Sequence, residues 1–67
     1  MTKFSTKRVV QLSIIADDLA SRARVCFRGA ANLERIGNRR GAQHQRALGA
    51  RYHVIAVQAS RLLERFA

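Results

Sequence analysis

Apolar residues recur along the first third of the chain at Val9, Leu12, Ala16, Leu19, Ala23 and Cys26, in steps of three and four, with Phe27 beside them. That spacing lines one face of a helix, and it predicts an amphipathic helix over about residues 5–27. Ser5 can cap the first turn, and Phe4 ahead of it can pack on Val9 as a hydrophobic staple. A second, thinner line of Val10, Ile14, the small Ser21 and Val25 runs on nearly the opposite side. A helix with two apolar sides is expected to sit between neighbours.

Leu33, Gly37, Gly41, His44, Leu48, Tyr52, Ile55, Ala59, Leu62 and Phe66 form a second periodic line and predict a long helix over about residues 31–66. Between the two, Arg28-Gly29-Ala30 is the predicted turn over 28–30, because Gly29 can take the left-handed conformation that ends a helix. No proline occurs to force a stop elsewhere. Gly37, Gly41 and Gly49 each weaken the second helix by about 1 kcal/mol relative to alanine. Gly37 and Gly41 lie four apart on the apolar line, where absent side chains would admit another helix closely.

The competing plan breaks the chain at Gly37-Asn38, with a short helix over 30–36 and a third from about 42, making a three-helix bundle. A helix-turn-helix on that plan would set Gln43 and Arg46 where the recognition helix buries aliphatic residues, which counts against it. The predicted fold class is therefore all-α: an antiparallel helical hairpin with a long second helix, one small domain over 1–67.

Folding about Gly29 sets Val10 opposite Leu48, Ile14 opposite His44, and Asp17 and Asp18 near Arg40 and His44. The first helix then runs out opposite Tyr52, and the last fifteen residues overhang with an apolar side. Tyr52, Ile55, Ala59, Leu62, Leu63 and Phe66 are accordingly the predicted oligomer interface. A chain of 67 residues rarely buries enough apolar surface alone to exceed a few kcal/mol of stability. One cysteine gives no intrachain disulfide and suits a reducing compartment, so a dimeric helical bundle is the remaining device. The predicted shape resembles small plasmid and phage regulatory proteins of the Rop type. That likeness is one of architecture and assigns no residue a role.

Charge changes the picture more than composition does. The net formal charge is +9, and residues 22–53 carry +7 of it. Eleven of the thirteen cations are arginine, which favours bidentate contacts to phosphate or carboxylate. On one continuous helix Arg28, Arg35, Arg39 and Arg46 would fall within about 40° of each other, forming a cationic stripe. Arg40 and Arg51 join these four as the predicted anion-binding or partner-binding residues.

Catalysis finds little support. Asp17 and Asp18 are adjacent on a helix and diverge by about 100°, so they cannot flank one substrate bond. Cys26 lies on the packing line as a buried structural thiol, and His44, also on a packing line, is expected in the core. The histidines lie on opposite helix faces, too far apart to share a metal, and neither the P-loop nor the dinucleotide glycine pattern occurs. Four aromatics, Phe4, Phe27, Tyr52 and Phe66, read as packing residues. Gln11 and the Asp17-Asp18 pair interrupt the apolar run after Lys3, Lys7 and Arg8 too early for a signal peptide, and Val54 to Val57 is too short to span a bilayer.

The expectation is a small, basic, nonenzymatic, cytoplasmic regulatory protein that needs no cofactor and binds nucleic-acid phosphates through the arginine stripe. The alternative is an inhibitor or adaptor of the phage or mobile-element type, docking on an acidic host-protein surface. A further one is a small anionic nucleotide held at a subunit interface by Arg39, Arg40 and His44, and a last one is membrane disruption.

Overall fold

The computed structural model describes residues 6–66, and the side chains of 6–65. Two helices, α1 (Thr6–Arg35) and α2 (Arg39–Phe66), lie side by side as an antiparallel hairpin. The cap and staple expected of Ser5 and Phe4 fall outside the described residues.

The hairpin turns at Ile36–Asn38 and not at Gly29. Gly37 is in the left-handed region at φ 85°. Its N–H donates to the carbonyl of Glu34 at 3.0 Å, and the N–H of Asn38 donates to that of Leu33 at 2.8 Å. These two bonds satisfy carbonyls that the end of α1 would leave unpaired, the pattern of a Schellman stop. Asn38 then starts α2. Its Oδ1 accepts from the N–H of Gly41 at 2.9 Å, and its carbonyl accepts from the N–H of Ala42 at 3.1 Å. One residue thus closes one helix and caps the next. A side chain at Gly41 would press on this cap, because a Cβ there would stand 2.9 Å from the Asn38 side-chain amide nitrogen.

Helix α1 continues through Gly29 because its packing line does not stop there. Ala16, Ala23, Cys26 and Ala30 are all buried, and Leu33 is half-buried one turn further on. Tertiary packing of that line outweighs the roughly 1 kcal/mol that a helical glycine costs. On α2 the buried line is Ala42, Gly49, Ala56 and Ala59, with Gln45, Tyr52 and Leu63 half-buried along it. This line is rotated from the predicted one. His44, expected in the core, is exposed.

The seam is built from small side chains at seven-residue spacing, the repeat of an antiparallel coiled coil. At Gly49 the helices approach closely: a Cβ there would sit 3.1 Å from the Cys26 Cβ and 3.1 Å from the Phe27 ring. Gly49, and neither Gly37 nor Gly41, is the glycine that admits a neighbouring helix. With Gly49 opposite Cys26, residues at one level have numbers that sum to about 75. The last residues of α2 therefore do not overhang, since Leu62 lines one surface depression with Leu12 and Ile15 of α1. Neither a third helix nor a helix-turn-helix occurs among the described residues.

The product is a rod of 53 × 15 × 12 Å with a radius of gyration of 15.3 Å. A compact chain of this length would have a radius near 11 Å. Among the described residues no large side chain is fully buried, while Val10, Ile14, Ile15, Val25, Val54 and Ile55 are about half exposed or more.

Candidate anion-binding site

Folding at Gly37 turns the basic middle of the sequence into one end of the rod. Residues 22–53 become the tip half, with eight arginines against Glu34 alone. Residues 6–21 and 54–66 form the other half, where Lys7, Arg8, Arg61 and Arg65 are nearly balanced by Asp17, Asp18 and Glu64. Charge is thus graded along the long axis, from +7 to +1.

The arginines are not in a single-file stripe. Arg28 and Arg35 are on α1 and Arg39 and Arg46 on α2. From the helical repeat, the first two point about 180° away from the seam, and the second two lie about 75° from it on one flank. Arg40 points outward from α2, and Arg51 lies toward the opposite flank. Together they form a collar around the tip, and all six are exposed. Arg39 and His44 are five residues apart, about 140° around α2, so the proposed nucleotide-binding trio with Arg40 does not converge within one chain.

Local bonds hold some of these groups. Arg46 pairs with Glu34 across the two helices, and Arg35 donates to Asn32 one turn before it. Both members of the first pair are about half exposed, which puts its worth at about 0.2–1 kcal/mol. Arg39 and Arg40 occupy the first turn of α2, where the helix dipole is positive. They cost a few tenths of a kcal/mol each there, so an anion bridging them would relieve that repulsion.

The predicted ion pairs of Asp17 or Asp18 with Arg40 or His44 do not form. Asp18 instead accepts from Arg22 at 2.8 Å on its own helix. The register explains the difference: Asp17 and Asp18 lie level with residues near 57 of α2, far from the tip. Arg22 is raised above its ordinary pKa, chiefly by its hydrogen bond to Asp18, then by the charge of Asp18 and contact with Tyr52. A raised value means that the stabilisation is present below the unfolded pKa and is lost only as pH rises through the folded one. Arg22 therefore stays charged at every physiological pH.

Of the predicted interface residues, Ala59 is buried in the intrachain seam, and Tyr52 and Leu63 are half-buried along it. Ile55 and Leu62 sit on the flank beside the seam and stay partly open to solvent. The side chain of Phe66 is outside the described set. Cys26 is buried, 6% exposed.

Sequence reasoning missed Ile36. It is 78% exposed at the extreme tip, between Arg35 and the Arg39-Arg40 pair. The signal for it was its place before Gly37-Asn38, once that pair is taken as the turn. Among the described residues no cluster of three metal-ligating side chains occurs, and no helix is long and apolar enough to cross a membrane.

Comparison with protein-family models, with curated proteins and with solved structures finds no match for this chain.

Proposed function

We propose that this protein is a nonenzymatic cytoplasmic regulator that binds nucleic-acid phosphates with its arginine-collared tip and works as a homo-oligomer. The observation that carries this reading is the gathering of eight arginines from both helices at one end of the rod, with one carboxylate among them. Guanidinium groups around a tip suit phosphates lying on more than one side of it, and they read backbone charge more than base edges.

The test is a titration of random-sequence duplex DNA and of structured RNA at several salt concentrations. Each phosphate neutralised on duplex DNA adds about 0.9 to the salt slope of log affinity. Replacing Arg28, Arg35, Arg39 and Arg40 by alanine should lower the slope by up to about 3.6, and replacing Arg61 and Arg65 at the far end should leave it nearly unchanged. Absence of binding by the folded wild type at low salt, or equal losses at the two ends, would refute the reading.

A second reading is favoured by Ile36. An exposed aliphatic side chain ringed by arginines is the anchor-and-rim arrangement of a protein-docking surface, here one suited to an acidic partner. Ile36→Ser leaves the charge untouched. It should therefore weaken docking on a protein while leaving the nucleic-acid salt slope as it was.

A further inference from the structure

We infer that two copies of the chain pack face to face and antiparallel, through the flank that carries Leu48, Ile55 and Leu62, with the two cationic tips at opposite ends. This deepens the homo-oligomer part of the reading above and does not depend on what the tips bind.

The need for a partner follows from the surface. The chain exposes 5577 Å², whereas a compact monomer of 7.5 kDa exposes about 4,200 Å². One broad side of the rod, 53 by 15 Å, has an area of about 800 Å², the amount each partner contributes to a stable interface of ordinary size.

The face is chosen by the pattern. Beside the seam, Leu48, Ile55 and Leu62 recur every seven residues on α2, and Ile15 comes alongside them from α1 next to Leu62. Ile15 and Ile55 are 51% and 48% exposed. The opposite flank carries Arg39, Arg46, His53 and Glu34, so it is polar.

Register and charge then choose the orientation. With levels summing to about 75, Leu48, Ile55 and Leu62 lie level with residues 27, 20 and 13 of α1. A two-fold axis crossing the rod at the level of Ile55 stacks α2 on α2. It sets Leu48 of one copy against Leu62 of the other, and Ile55 against Ile55. The same axis stacks α1 on α1 and brings Arg22 of each copy level with Asp18 of the other, extending the pair that the single chain already makes. The parallel arrangement would lay α1 over α2 and set the Arg22 guanidinium on Ile55. It would also bring the two +7 halves together, where the antiparallel one sets each +7 half beside a +1 half.

The experiment is a distance measurement between spin labels at Ile36→Cys, with Cys26→Ala removing the native thiol. Among the described residues Ile36 is the most exposed large apolar one, so the label disturbs little. The antiparallel dimer separates the labels by at least about 48 Å, being 32 residues of axial offset at 1.5 Å each. A distance under about 25 Å, which a parallel pair gives at two helix spacings, would overturn the orientation while leaving the dimer standing. A monomer in sedimentation at high micromolar concentration would overturn the inference and the oligomer reading together, leaving phosphate binding to its own titration. To test the face, Ile55→Glu should weaken the dimer on the order of 100-fold by burying two like charges across the axis. Val54→Glu, one residue earlier and turned outward, should leave it unchanged, and the reverse pattern would overturn the choice of face. If Ile55→Glu fails to fold, the label distance still decides.

Discussion

Two glycines separate the contribution of helix–helix contact from that of helix propensity. Gly29 and Gly49 both lie inside helices, and alanine at either position should gain about 1 kcal/mol of propensity. A Cβ at Gly29 meets nothing within 4 Å, whereas one at Gly49 stands 3.1 Å from the Cys26 Cβ and 3.1 and 3.2 Å from two atoms of the Phe27 ring. The Cys26 Cβ cannot move without its backbone, so the helices must spread, and overpacking of this kind costs about 1–3 kcal/mol. Gly29→Ala should therefore stabilise by about 1 kcal/mol, and Gly49→Ala should range from neutral to about 2 kcal/mol destabilising. The assay is thermal unfolding followed by circular dichroism at one fixed protein concentration, because oligomers have concentration-dependent midpoints. At about 4–8 °C per kcal/mol, the two variants should differ by at least 4 °C. Equal stabilisation by both would mean that the backbones do not meet at Gly49. Destabilisation by Gly29→Ala would restore the turn to Gly29.

Other outcomes follow from the turn and the tip. Asn38→Ala removes the cap of α2 and should cost about 1 kcal/mol, with Asn38→Asp recovering most of it; urea unfolding measures both, and no loss in the alanine variant would contradict the capping geometry. In the salt titration the slope should fall for collar arginines and not for Arg61 and Arg65. In the label measurement the tips should lie far apart.

The all-helical hairpin was legible from the apolar periodicity, and the seam of α1 was read correctly from Val9 to Cys26. The turn was not. Gly29 and Gly37 are equivalent as glycines, and what separates them is Asn38, a good helix cap placed where the next helix must begin. The seam of α2 was misread for a related reason. Leucine, tyrosine and isoleucine drew the line to Leu48 and Ile55, while the residues that pack inside are Ala42, Gly49, Ala56 and Ala59. Alanines at 16, 23 and 30 faced by small residues at 42, 49 and 56 were present in the sequence. Their meaning as a close-packed seam depends on a register that only the turn defines. The basic cluster was legible as a cluster, but its shape was not, because a stripe on one helix becomes a collar once the chain folds back in its middle.

The position of Gly37 also bears on how the chain folds. In a hairpin with local contacts, the pairs closest in sequence close first, since they lose the least loop entropy. Here those pairs are the residues on either side of the turn, where Arg28, Arg35, Arg39, Arg40 and Arg46 crowd together. The cheapest loop to close is thus the one that meets the most repulsion. Screening within a Debye length of about 8 Å at physiological ionic strength weakens that barrier. Stopped-flow refolding should therefore quicken as salt is raised, while unfolding changes less, and a polyphosphate strand would act on the same step as a template for zipping. A refolding rate insensitive to salt would mean that the zip begins at the far ends, at the level of Leu12 and Leu63.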